Sequence, residues 1–289
     1  MLNITEIQER WLRNPEPVEV TEIRENILNS FNKLEFVEEG HKYYLPKEDG
    51  TKEELISVSA MTKLFEEEQD WDEIAARYAL KTGATVEEVK RKWLENNVRA
   101  TNAGTGVHLY GENFMYFFMN RPDLICDVIK PQYEKGYLLP HSPKEEAVLN
   151  FYEDLFKVEQ IYPVLAETRV YIGINDMFPL KTKYAGTFDM LFTAKLGGSW
   201  KLLVYDFKTN KELTNSYNQK MNRMLLPPFN DLVDENTSHY TLQLSAYSLC
   251  LKQLGYEIAD RKLIWLKDDG SYEKVSLPDV SERIREALS

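Results

Sequence analysis

The chain has 289 residues, 43% of them hydrophobic, and a formal net charge of −12 at pH 7. That length and apolar content support the core of one large domain, or of one domain with an extension. The acidic balance argues against a protein that holds nucleic acid on a broad basic surface, because phosphate binding relies on Lys and Arg releasing counterions, although a site holding divalent cations would reverse the field locally. No run of about 18 apolar residues is present, and the opening residues lack the basic-then-apolar order of a signal peptide, so a soluble, cytoplasmic protein with no membrane partner is expected. Cys126 and Cys250 lie far apart in apolar surroundings. They predict buried, reduced thiols, with neither a disulfide framework nor a four-cysteine zinc or iron–sulfur site.

In chain order, residues 1–33 read as a polar, partly helical leader. Residues 34–45 read as a hairpin around Glu39-Gly40, and a third strand is expected after Asp49-Gly50, ending at Ile56-Ser57-Val58. From residue 59 to about 120 the apolar spacing is helical, with Trp71, Ile74, Ala75 and Tyr78 on one stripe and Val86, Val89, Trp93 and Val98 on another. A Pro-, Tyr- and Gly-containing stretch breaks this region. Ser142-Pro143-Lys144-Glu145 then has the form of a capping box with proline at the first helical position, opening a helix to about Glu159. The period next changes to that of strands at 166–172, 184–194 and 201–208, the last two joined through Gly197-Gly198. A long polar connection over 209–237 leads to a helix at 238–254, two short strands near 263–266 and 272–275, and a closing helix from about Ser281. This order predicts an α/β or α+β fold with a helical N-terminal elaboration: the leader over 1–33, then one domain over 34–289 with a helical part at 59–120 and its core at 142–289.

Asp206 and Lys208 end an apolar strand two residues apart and so share a face, while Phe207 points into the core. A carboxylate beside an ammonium suits phosphodiester cleavage, the acid holding a divalent cation and the lysine orienting water or neutralising charge; a surface ion pair at a strand end gives the same spacing. Asp189 stands inside an otherwise apolar strand, where an ionised carboxylate needs a partner or a metal, and hairpin pairing would bring it close to Asp206. A solvent-facing position on the sheet is the alternative. His108 follows Gly104-Thr105-Gly106-Val107 in the helical region and is a natural metal ligand, though lone histidines are usually structural. Tyr240, Gln243 and Tyr247 line one helical stripe. The amide of Gln243 could reach a phosphate or hold the lysine, and the tyrosines could simply pack on the sheet, Tyr240 more than Tyr247. Lys90-Arg91-Lys92-Trp93 is the densest basic and aromatic cluster, readable as a grip for single strands or as the exposed face of a helix with Trp93 buried.

Taken in order, Gly104 to His108, then Glu167, Gly186 to Asp189, Asp206 to Lys208 and Gln243 to Tyr247 resemble the RecB-like exonuclease branch of the PD-(D/E)XK nuclease superfamily, in particular phage-type nucleases. The resemblance spans roughly residues 34–265. It implies a central mixed sheet flanked by helices, as in the restriction-endonuclease-like core, and a metal-dependent DNA exonuclease acting on ends or single strands in phage or bacterial replication or recombination. An endonuclease on the same centre, or a catalytically silent nucleic-acid-binding protein, are the alternatives. Carried over residue by residue, it implies His108, Asp189 and Asp206 as ligands of Mg²⁺ or Mn²⁺, Lys208 as the catalytic lysine, and Glu167 as a further acid whose alternative is an ordinary strand-edge position. Gln243, Tyr247 and Thr105 are implied as substrate contacts. DNA is the implied partner, with a helicase or recombination protein beside it. The sequence departs from the branch that carries four cysteines around an iron–sulfur cluster. Its long connection between Lys208 and Gln243 also exceeds the expected link, and Lys211, Tyr217, Lys220, Arg223 and Phe229 would form a strand-guiding loop there, or an ordinary solvated one.

Overall fold

The computed structural model describes residues 2–174 and 180–289, among which the chain forms ten α-helices and eight strands. Helix α1 (Ile4–Arg13) opens with a capping box, Glu6 N–H donating to the Asn3 side chain and Asn3 N–H to the Glu6 carboxylate. After α2 (Val18–Phe31) come β1 (Glu35–Val37), β2 (Lys42–Pro46) and β3 (Lys52–Ser57), an antiparallel unit turned by the two Gly-containing turns. Ser57 ends β3 and caps α3 (Val58–Lys63), so the strand stops one residue short of the expected Val58. The helical region continues as α4 (Trp71–Thr82) and the 33-residue α5 (Val86–Phe118). Gly83, at φ 71°, ends α4, and a capping box between Thr85 and Glu88 starts α5. Next come the short α6 (Lys130–Tyr133) and α7 (Pro143–Phe156), opened by Ser142 and Pro143 as the sequence predicts.

The large sheet is completed by β4 (Ile161–Tyr171), β5 (Tyr184–Leu196), β6 (Ser199–Lys208), β7 (Ile258–Leu266) and β8 (Tyr272–Ser276). The connection between β6 and β7 holds α8 (Ser216–Lys220) and α9 (Asn236–Lys252), and α10 (Ser281–Leu288) follows β8. The strand order is β1-β2-β3-β5-β6-β7-β8, with β4 on the opposite edge of β5. The sheet is mixed: β3 with β5 and β6 with β7 are parallel, the other pairs antiparallel. One edge of β5 is shared. Its first two residues pair with Ile56 and Ser57 of β3, whereas Met190 to Leu196 pair with β6. Between these lie residues 186–189, where the sheet forks as β6 continues past Tyr205 against β7.

Helices pack on both faces. Beneath one face, Ile23 and Ile27 of α2, Met61 of α3, Leu244 of α9 and Ile284 of α10 meet Phe188, Val204 and Leu263. Beneath the other, Ile7 of α1, Phe114 and Phe118 of α5 and Phe151 of α7 meet Phe192, Tyr205 and Phe207. The two leader helices therefore join opposite layers of the core. The arm formed by α4 and the first half of α5 has only a small cluster of its own, Ala75, Ala79 and Val89 with Trp93 against them.

Three expectations are corrected here. Cys126 is partly exposed, and only Cys250 is buried. Phe229, expected in a strand-guiding loop, is fully buried against Phe65, because the 209–237 connection has an apolar floor that includes Leu213 and Leu225. Of the two tyrosines on α9, Tyr247 is the one buried against the sheet, while Tyr240 lies over Lys208.

Candidate metal centre

The fork between β5 and β6 is where the polar groups gather. Asp189 is the last residue of β5 before its pairing with β6 begins, and the register Met190 with Tyr205 sets it opposite Asp206. Its carboxylate takes over the role of a ladder acceptor: the Phe207 N–H donates to Asp189 Oδ2 at 2.8 Å. The same oxygen lies 3.1 Å from His108 Nδ1. Glu167 of β4 stands on the other side, its Oε1 4.0 Å from His108 Nδ1. Glu167 has φ 42°, a left-handed conformation that non-glycine residues rarely adopt, in the middle of a paired strand. One ligand atom each from His108, Glu167 and Asp189 lies within 4.8 Å of the others, close enough to share one ion.

Asp206 stands outside that set. It is 2% exposed, its Oδ2 lies 2.5 Å from Lys208 Nζ, and no aligned hydrogen bond reaches that oxygen among the described residues. Lys208 lies in turn 4.4 Å over the ring of Tyr240, whose hydroxyl donates to Asn210 Oδ1 at 2.6 Å. The chain thus packs an ammonium, an imidazole and three carboxylates into one partly buried place.

Two glycines make this approach possible. A Cβ on Gly111 of α5 would lie 2.6 Å from the ring of Phe207, so the helix bearing His108 can rest directly on the strand bearing Asp206 and Lys208. A Cβ on Gly186 would lie 2.8 Å from the Tyr247 ring and 2.9 Å from Val58, which is how α9 and α3 reach the fork.

Electrostatics follow from the crowding. Burial disfavours a charged His108, but the charge and hydrogen bond of Asp189 outweigh it and push the imidazole up to about 9. Burial, then repulsion from Asp189, pushes Glu167 up to about 8 and Asp206 up to about 6. Burial opposes ionisation of Asp189 as well, yet His108, Lys208 and the Phe207 N–H hold it below the usual carboxylate range. Burial works against Lys208 too, and Asp206 and Asp189 more than offset it, keeping the lysine charged. Of the three carboxylates, only Asp189 is held in its ionised form by the protein itself.

The structure therefore brings His108, Glu167, Asp189, Asp206 and Lys208 together. Gln243 donates from Nε2 to the Tyr247 hydroxyl at 3.1 Å, and the two line a small cavity with Tyr43, Ser57 and Thr187 beside the fork. Thr105 is not brought to the cluster: it is exposed, and its hydroxyl donates to the Thr101 carbonyl of its own helix. The basic cluster on the arm is partly neutralised, with Lys90 2.6 Å from Asp72 and Arg91 3.9 Å from Glu95. Sequence reasoning passed over Glu112, one turn beyond His108, whose carboxylate accepts from Tyr116 and adds to the repulsion at Glu167. Its i, i+4 spacing from His108 was the available signal.

No protein-family model matches the chain, and no curated protein matches it.

Proposed function

We propose that the chain is a divalent-metal-dependent nuclease of the RecB-like PD-(D/E)XK type, an exonuclease acting on DNA ends or single strands in the cytoplasm of a bacterial or phage-infected cell. The observation that carries this reading is the convergence of His108, Glu167 and Asp189 within shared-ligand distance, beside a buried Asp206–Lys208 pair. The donor set, one imidazole with hard carboxylate oxygens, fits Mg²⁺ or Mn²⁺ better than a soft metal. The mutual repulsion that raises Glu167 and Asp206 is what a bound cation would relieve.

His108, Asp189 and Glu167 would hold the ion, with Asp206 as a further acid beside Lys208. Bound there, a divalent ion supplies Lewis-acid polarisation of the phosphoryl oxygens and acidifies a coordinated water. To offer a lone pair to such an ion His108 would have to be unprotonated, so loading would release a proton. Lys208 stays charged and short of solvent, where it orients the attacking water and neutralises charge developing on the phosphate. Asp206 fixes the lysine rotamer, and the Tyr240 ring backs it from the other side. Gln243 and Tyr247, bonded to each other, present their remaining polar edges to the strand beside the fork.

The test incubates purified protein with end-labelled linear single- and double-stranded DNA and with closed circles, in Mn²⁺, Mg²⁺ or EDTA, beside an Asp206→Ala control. Metal-dependent loss of linear DNA alone, abolished in the control, supports the exonuclease. Cutting of circles moves the reading to an endonuclease on the same centre, and no cutting in either metal overturns the nuclease assignment.

A further inference from the structure

Away from the fork, a cavity of about 670 Å³ lies between the root of the arm and the 209–237 connection. Four carboxylates line it, yet three are committed to the protein's own framework. Asp234 and Glu66 flank the two nitrogens of His239, at 2.8 and 3.4 Å, and Glu235 accepts from the Asn215 N–H and the Gln219 side chain, both at 2.9 Å. Besides the fourth acid, Glu212, the groups left facing the space are aromatic, cationic or hydroxyl-bearing. Tyr217 and Trp71 are 56% and 63% exposed, and Arg223 lies 5.4 Å from the Tyr217 ring, with no ion-pair partner among the described residues. Thr214 and Ser216 add hydroxyls at the rim.

The cavity and the fork are built in part from the same two stretches of chain. His239 lines it, and the next residue of α9, Tyr240, lies over Lys208. Asn210, two residues beyond Lys208, is bonded to Tyr240, and Glu212 then reaches the cavity.

From this we infer that the cavity is a nucleotide subsite for an unpaired strand, its base held against Tyr217 and Trp71 and its phosphate by Arg223. The inference rests on the nuclease reading for its substrate class, and it specifies that the substrate is single-stranded where it crosses the arm root. A volume of this size exceeds the low end of small-ligand pockets, about 300 Å³, and so admits a base with its sugar. A flat, π-bearing ligand suits two exposed rings, whichever base it carries. A duplex would keep its bases stacked on one another and away from both rings.

The test measures binding of a short fluorescent single-stranded oligodeoxynucleotide to the full chain in EDTA, where no cutting competes. Tyr217→Ala should weaken binding about tenfold, the scale of one base–aromatic stack, while Tyr217→Phe should stay within about twofold. Arg223→Gln should weaken it further and flatten its salt dependence. Matching duplex DNA should be indifferent to the Tyr217 change. Unchanged single-strand affinity in both Tyr217→Ala and Arg223→Gln overturns the subsite, as does equal weakening by Tyr217→Phe. Hydrolysis of bis(p-nitrophenyl) phosphate by the wild-type chain in Mn²⁺ examines the metal centre separately, since that diester has no strand to reach the cavity. Hydrolysis without any Tyr217 effect would sink the subsite and leave the nuclease reading standing. The reverse pattern would do the opposite.

Discussion

Gly111 of α5 and Phe207 of β6 pack so closely that a methyl group on the glycine would come within 2.6 Å of the phenyl ring. Gly111 is three residues past His108, and Phe207 separates Asp206 from Lys208, so this one contact sets the spacing between the two halves of the candidate centre. Alanine would gain about 1 kcal/mol of helix propensity, but forcing a methyl into a filled core costs about 1–3 kcal/mol. Gly111→Ala is therefore expected to lower thermal stability by no more than a few degrees. Its more telling effect is on Mn²⁺ affinity, measured by titration calorimetry, which should fall as His108 is pushed away from Asp189. Unchanged affinity would show that the contact does not govern the site.

Lys208→Met keeps the length of the side chain and removes its charge. Asp206 is then buried without its nearest cation, and breaking such a pair typically costs about 3–5 kcal/mol. Asp206 can escape by taking a proton, so its carboxyl should move above its present value of about 6. The destabilisation, read from urea unfolding, is expected to be small at pH 5 and large at pH 8. Equal losses at both pH values would mean that Asp206 does not depend on Lys208.

In the absence of metal, the centre should make the protein less stable as pH rises. Glu167, Asp206 and His108 all have folded-state values raised above their ordinary ones, to about 8, 6 and 9. The folded state holds these protons longer than the unfolded chain does. The stability they contribute is complete below their ordinary values and is lost as pH climbs through the raised ones, over roughly pH 4 to 9. Asp189, shifted downward, acts only at lower pH. Melting in EDTA should show Tm falling across this window, and saturating Mn²⁺ should raise Tm more at pH 8 than at pH 5. Glu167→Gln should flatten the slope in EDTA. A Tm independent of pH in the metal-free protein would contradict the crowding described above.

The arm should open without unfolding the rest. Trp93 holds α4 against α5, 6.4 Å from Trp71 and 5.8 Å from Tyr78 between ring centroids, over a cluster of three small buried residues. Trp93→Ala is expected to speed amide exchange across residues 71–103 by an order of magnitude or more, while Tm changes little. Loss of global stability instead would make the arm an integral part of the core.

Much of this arrangement is legible in the sequence because period and punctuation agree. Ser142-Pro143 opens a helix, Gly197-Gly198 turns a hairpin, and Asp206 and Lys208 share a face because strands alternate. Where the signals conflict, the reading falls short. β4 begins at Ile161, five residues before its expected start, because Pro163 and a register shift between Pro163 and Leu165 hide the alternation. β7 likewise begins at Ile258, masked by Asp260, Arg261 and Lys262; Arg261 is buried, with its guanidinium 3.4 Å from Asp279. The fork itself had no local signature, since it depends on which strands β5 meets at each end. Nor could helical spacing alone tell which of Tyr240 and Tyr247 would face the sheet, because both lie near the same stripe and Gly186 decides the matter from another strand.

The helix that carries His108 also builds the arm, and it is unbroken from Val86 onward. At about 1.5 Å per residue, the start of that helix and His108 are the two ends of a rod about 33 Å long. The rod fixes how far anything held at the far end of the arm lies from the fork, and inserting one helical turn between Val98 and Thr101 would lengthen that reach by about 5 Å.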